Sequence, residues 1–216
     1  MSARPRAVLF DWDNTLVDSW PVIEDALHAT LTAFGHAPWS RAQVKSRVRK
    51  SMRDSFPKLF GDKWEEAGKV FYARYNEIHI AKLTPLEGAA EMLAELAGRG
   101  FYLAIVSNKK GEFLRREAAT LGWDRHLGRL VGALDAARDK PAIDPVLLAL
   151  EGSGIAPGGD VWLAGDADID LECAQNAGLV PVLVREYPPR KGEFPSHPPA
   201  WHFSDCRALS KALISL

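Results

Sequence analysis

"AVLFDWDNTLVDSW", Ala7 to Trp20, changes character after four residues. Ala7–Phe10 is the short apolar run of a fully buried strand. At its end stand Asp11 and Asp13, one residue apart, with Asn14 and Thr15 directly after. Two carboxylates so close repel each other, and a fold holds them together where a cation or a chemical task offsets the repulsion.

Three further runs read as buried strands by length, β-branched content and flanking signals: Tyr102–Val106, Val161–Ala164 and Val180–Val184, with a weaker one at Arg129–Ala133. Between them lie helical patterns at Glu112–Leu121, Asp144–Gly152 and Asp170–Ala177. Apolar strands alternating with helices predict an α/β fold, a Rossmann-like parallel sheet covered on both faces.

One interval is too long for a simple crossover. About ninety residues separate Asp11 from Tyr102, where a dozen or slightly more suffice. Trp20, Ile23, Leu27, Leu31 and Phe34 recur at three- and four-residue steps, an amphipathic helix that Ser19 or Asp18 can cap, with Pro21 in its first turn. Helical stretches follow at Arg41–Ser51 and Trp64–Ile80, and Thr84-Pro85 opens a helix that ends at Gly98–Gly100. The expected organisation is a core of residues 1–17 and 85–216, interrupted by an all-helical insert of residues 18–84. "EYPPRKGEFPSHPPA", Glu186 to Ala200, reads as a surface loop.

The 216 residues carry a formal net charge of −1, with 47% apolar and 25% charged residues, an ordinary globular balance with no bias towards nucleic acid or acidic membranes. No run approaches the roughly 18 apolar residues of a membrane span. The four apolar residues before Asp11 are too few for a signal-peptide core, which predicts a cytoplasmic protein. Cys173 and Cys206 read as reduced thiols.

Function in a parallel sheet gathers beyond the carboxyl ends of the strands. Those loops carry Asp11 and Asp13; Ser107 and Asn108 in "AIVSNKKG"; Lys140 in "RDKPAIDP"; and Asp166, Asp168 and Asp170 in "GDADID". Singly each is ordinary, since Asp and Ser cap helices and form turns. Together they make a carboxylate cluster beside one ammonium and one hydroxyl. Such acids suit Mg²⁺, which takes oxygen ligands and shares them with substrate phosphate. An ionised Asp11 is a candidate nucleophile, Asp13 on the same side of the extended chain a candidate acid/base, and Lys140 and Ser107 candidate stabilisers of phosphoryl oxygens.

At these residues the sequence resembles the haloacid dehalogenase-like hydrolases. "FDWDNTLVDS", "IVSN", "KPAIDPVLLAL" and "GDADIDLECAQNAG" are similar to that family's four signatures, in order. The resemblance implies Asp11 as the phosphorylated nucleophile, Asp13 as acid/base, and Ser107, Asn108 and Lys140 as phosphoryl binders. It implies Mg²⁺ held by Asp11, the Asp13 backbone carbonyl and Asp166, with Asp170 ligating through water or orienting Lys140. The insert resembles the helical cap of the subgroup that includes phosphoglycolate phosphatase, with hinges near Val17–Asp18 and Thr84–Gly88. Asn14 stands where Gly is commoner, and Trp12 where a smaller apolar residue is usual.

Arg41 to Phe60 holds seven basic residues and one acid, Asp54, for a local charge of +6. Most of these are expected on a solvated face, with one or two of Arg47, Arg49, Lys50 and Arg53 contacting an anionic substrate. The resulting expectation is a Mg²⁺-dependent phosphatase, monomer or homodimer, acting on a small phosphorylated metabolite such as phosphoglycolate. A phosphomutase of the β-phosphoglucomutase type is the alternative; a phospho-Asp receiver or an idle binding scaffold would be alternatives of another class.

Overall fold

A computed structural model describes residues 4–48 and 50–216. The chain forms two compact units, one made of the chain up to Val17 with Pro85–Leu216, the other of Asp18–Thr84. In chain order the elements are β1 (Ala7–Phe10), α1 (Trp20–Ala33), α2 (Arg41–Arg47), α3 (Met52–Phe60), α4 (Trp64–Ile78), α5 (Ala89–Gly98), β2 (Tyr102–Lys110), α6 (Gly111–Leu121), β3 (Arg129–Ala133), α7 (Asp144–Leu150), β4 (Val161–Gly165), α8 (Asp168–Asn176), β5 (Val180–Val184), β6 (Trp201–Phe203) and α9 (Cys206–Ile214).

The first unit is a six-stranded parallel sheet in the order β3-β2-β1-β4-β5-β6. Strand residues Ala7, Leu9, Ala104, Val106, Val161 and Leu163 share one face by the two-residue period, and pack with Val146 and Ala149 of α7 and Cys173 and Ala174 of α8. Val8, Phe10, Leu103, Ile105 and Trp162, on the opposite face, are buried too. A sheet covered on both sides explains why its strands read as unbroken apolar runs. The chain leaves and re-enters this unit side by side: Val17 bridges Pro85, and the Leu86 N–H donates to the Leu16 carbonyl at 2.9 Å.

The sheet unit departs from the sequence reading in three places, the first being that the helix expected to open at Thr84-Pro85 begins only at Ala89. β2 runs on through Ser107, Asn108 and Lys109, because a bulge sets Val106–Lys110 against only Val131–Ala133 of β3. That bulge needs Gly132, where a Cβ would lie 2.5 Å from the Gly111 Cα and the Lys109 carbonyl oxygen. The three-residue edge strand β6 has no apolar run to announce it.

In the second unit α1 buries Val22, Ile23, Ala26, Leu27 and Leu31. Its first N–H is served by Asp18, whose carboxylate accepts from the Trp20 N–H at 3.2 Å. The helix expected over Arg41–Ser51 stops at Arg47, where Val48 turns out of the helical region (ψ 89°), and α3 begins only at Met52. Among the described residues no helix is long and apolar enough to cross a membrane.

Candidate active site

The strand order reverses between β1 and β4, so a crevice opens beyond the carboxyl ends of those two strands. Asp11 continues β1 by one step, its N–H donating to the Ala164 carbonyl at 2.9 Å. The turn that follows is tight: the Leu16 N–H donates to the Trp12 carbonyl at 3.0 Å, and Asn14 sits at φ 62°. Only Gly, or a short polar residue such as Asn, adopts that conformation readily, which accounts for Asn14.

Asp166 follows β4, and Asp170 lies one turn into α8 with its Oδ2 accepting from the Ala167 N–H at 3.1 Å. A Cβ at Gly165 would collide with the Asp170 carboxylate, so Gly165 lets strand and side chain close together. Asp11, Asp166 and Asp170 each present an oxygen within 4.8 Å of the others. Lys140 reaches the same group, its Nζ 2.8 Å from Asp11 Oδ1 and 2.6 Å from Asp170 Oδ1, with its side chain 1% exposed. Burial alone would lower the Lys140 ammonium, but the charges of Asp11 and Asp170 outweigh it, so it is held above its ordinary range. Burial pushes the Asp170 carboxyl up, against the pull of Lys140.

The bulge of β2 supplies the other side. Ser107 is buried, its hydroxyl oxygen accepting from the Lys109 N–H at 3.2 Å. Asn108 spends both ends of its amide on the Lys140 main chain: Oδ1 accepts from the Lys140 N–H at 3.0 Å, and Nδ2 donates to the Lys140 carbonyl at 3.2 Å.

The family model of the haloacid dehalogenase-like hydrolases matches residues 8–184. The chain belongs to that family. It is 31% identical over 204 residues to a phosphoglycolate phosphatase of Xylella fastidiosa, covering 93% of this chain and 87% of the relative. It is 32% identical over 188 residues to the N-acetylmuramic acid 6-phosphate phosphatase of Pseudomonas aeruginosa, covering 84% and 82%. Among solved structures, a hydrolase of the same superfamily from Ehrlichia chaffeensis superposes with a TM-score of 0.68 at 26% identity, over 99% of this chain and 98% of that one.

The donor set of this haloacid dehalogenase-like hydrolase fits a hard divalent cation. It is all oxygen and anionic, three carboxylates facing one ammonium. Both Asp170 oxygens are engaged, by Lys140 and by the Ala167 N–H, which turns that residue towards holding Lys140. Asp168 heads α8 on the exposed side, outside the trio.

Two residues at this edge escape the sequence reading. Lys109 Nζ lies 2.7 Å from Asp13 Oδ1 and 2.5 Å from Glu117 Oε2, and Glu117 also accepts from the Trp12 indole N–H at 2.7 Å. The signal for Glu117 was present: it falls on the buried stripe of α6, with Phe113, Leu114 and Ala118, where an acid is out of place.

Of the basic candidates in the helical unit, Arg47 lies over the Trp39 ring at 4.6 Å, Lys50 is exposed and Arg53 half-buried. Arg49 lies outside the described residues.

Proposed function

We propose that this enzyme is a Mg²⁺-dependent phosphatase that hydrolyses a small phosphomonoester through a phosphorylated Asp11. The observation that carries this reading is the approach of the Asp11, Asp166 and Asp170 oxygens to within 4.8 Å, with Lys140 bridging Asp11 and Asp170. In the first half-reaction an Asp11 oxygen forms a bond to phosphorus as the ester P–O bond breaks, and Asp13 gives its proton to the departing alkoxide. In the second, Asp13 takes a proton from water, whose oxygen attacks the aspartyl phosphate and frees inorganic phosphate and Asp11.

Lys140 and the Ser107 hydroxyl donate to the phosphoryl oxygens while charge builds on them, and Asn108 keeps Lys140 in place. Asp11, Asp166 and the Asp13 carbonyl are the proposed Mg²⁺ ligands, with Asp170 behind them. When bound, Mg²⁺ neutralises the negative charge of the phosphoryl group and the acids around it.

The helical unit of residues 18–84 is the proposed source of selectivity, with Arg47, Arg49, Lys50 and Arg53 as candidate substrate contacts. Phosphoglycolate is the leading substrate, since one relative bears that name; the N-acetylmuramic acid 6-phosphate phosphatase makes a sugar phosphate the next to try.

The test is a panel of phosphorylated metabolites, with p-nitrophenyl phosphate, read as Mg²⁺-dependent release of inorganic phosphate. Stoichiometric release marks hydrolysis, whereas a mutase frees little. Asp11→Asn, close in shape, is expected to abolish turnover with the melting temperature little changed. Turnover retained in that variant would overturn the nucleophile assignment.

A further inference from the structure

Glu117 is a carboxylate on an otherwise apolar helix face. It is 1% exposed on the apolar stripe of α6. A charge placed there is strongly unfavourable unless it is paired and hydrogen-bonded, and even a well-made buried pair commonly gains no more than an apolar replacement. Stability alone therefore gives a weak reason for Lys109 and Glu117.

Their contacts give a better one. Two threads run from Glu117 Oε2 to the same three-residue segment. One goes through the Trp12 indole N–H at 2.7 Å to the residue between Asp11 and Asp13; that indole is fully buried and packs edge-on against Trp123, with ring centroids 5.6 Å apart. The other goes through Lys109 Nζ at 2.5 Å to Asp13 Oδ1 at 2.7 Å. The Trp12 and Asp13 side chains of the segment are thus both tied to one carboxylate on a neighbouring helix. Lys109 itself is 8% exposed, which leaves its ammonium little freedom to swing away.

We infer that Lys109 and Glu117 are positioning residues for Asp13, holding its carboxylate in the orientation from which it hands a proton to the leaving oxygen. This rests on the acid role proposed for Asp13 above. A proton delivered to the leaving group matters most when that group departs badly as an anion. Loss of the positioning pair should therefore depend on the leaving group, a dependence that a merely structural pair does not produce.

Phenyl and p-nitrophenyl phosphate make the comparison at nearly constant size. Phenol is about as weak an acid as tyrosine, near 10, whereas p-nitrophenolate leaves readily without a proton. The readout is kcat/KM, which contains the departure of the leaving group and not the later hydrolysis of the aspartyl phosphate. Lys109→Met alone strands the Glu117 charge, so Lys109→Met/Glu117→Gln is tested beside it, with melting temperatures recorded for both.

For the double variant the expected loss is on the order of a hundredfold with phenyl phosphate and only a few-fold with p-nitrophenyl phosphate. Asp13→Asn, run in parallel, should show the same selectivity more strongly. If Asp13→Asn loses equally on both esters, the acid role of Asp13 fails and this inference falls with it. If Asp13→Asn is selective while a folded double variant loses equally on both, the positioning role alone is overturned. Two ester-independent losses in Lys109→Met and the double variant, each tracking a fall in melting temperature, would reduce the pair to a structural one.

Discussion

Two clusters of charge in this chain are built from the same kinds of side chain, one balanced and partly in water, the other short of positive charge and buried. In the helical unit one carboxylate serves two cations: Asp25 accepts from Arg74 Nε at 2.7 Å and from Lys82 Nζ at 2.8 Å, with all three side chains partly in water. At the carboxyl edge of the sheet one cation serves two carboxylates, and Lys140, Asp11 and Asp170 are nearly dry. With Glu77, whose carboxylate accepts from Arg74 Nη1 at 3.1 Å, the first cluster matches two cations with two carboxylates, and Arg74, then Lys82, hold Asp25 down at about 2. The second is under-supplied, and burial pushes Asp170 up to about 6 despite Lys140. Asp166 deepens the deficit. A fold selected only for stability would distribute charge as the helical unit does. The sheet edge keeps surplus negative charge out of water, an arrangement that suits a divalent cation and an anionic substrate.

The largest effect should come from making that deficit worse. Lys140→Met leaves Asp11 and Asp170 without their shared ammonium. Breaking a buried pair by removing one partner costs about 3–5 kcal/mol, and losing a donor to a transferring phosphoryl group costs turnover by about a hundredfold to a thousandfold. The variant should melt well below the parent in EDTA and recover more of its stability on adding Mg²⁺ than the parent gains. Melting curves with and without Mg²⁺, beside phosphate release, check both parts. Equal Mg²⁺ stabilisation of parent and variant would remove the basis of the contrast.

How far this was legible in the sequence follows the same division. β1 and β5 stand at the predicted limits, and β4 one residue beyond, because a strand buried on both faces must be apolar throughout and end abruptly; the edge strand β3, half-buried at Arg129 and Leu130, also keeps its predicted limits. Asp11, Asp166, Lys140 and Asp170 were legible because each follows a strand end. The bulge that carries β2 through Ser107–Lys109 was not, since it depends on the close approach of Gly132, a contact made across strands. Lys109 and Glu117 were missed for a related reason: they pair across eight residues and a strand-to-helix junction, and only the burial of both side chains distinguishes that pair from surface charge. In the helical unit the periodic α1 was readable, whereas the break after Arg47 was not, because nothing in Val48 or its neighbours forbids a helix.

A smaller effect should come from loosening Lys140 without removing it. Asn108→Ala cuts both hydrogen bonds to the Lys140 main chain, each worth about 1 kcal/mol. The stability cost should therefore be about 1–2 kcal/mol, read from the urea midpoint, with kcat lower by roughly tenfold as the ammonium loses its fixed approach to Asp11. Asn108→Asp keeps the acceptor and loses the donor, so it should fall between parent and alanine variant in stability. An alanine variant with unchanged kcat would show that Lys140 is held by its carboxylate partners alone.

The smallest effect belongs to the wet cluster, and its pH dependence has a definite sign. Asp25 titrates at about 2 in the folded chain against 3.8 for an unperturbed carboxyl. Between those values the unfolded state binds the extra proton, so stability rises with pH through this window. The contribution is complete above about 4 and is lost as the pH falls towards 2. Asp25→Asn should cost no more than about 1 kcal/mol at neutral pH, because the side chains are partly hydrated and screened. Turnover should be unchanged. The gap in melting temperature between parent and variant should narrow as the pH is lowered from 5 to 3, and shrink at neutral pH when salt is raised to about 1 M. A gap that stays constant with both pH and salt would mean that Asp25 acts by packing, and the contrast between wet and dry charge would lose its wet half.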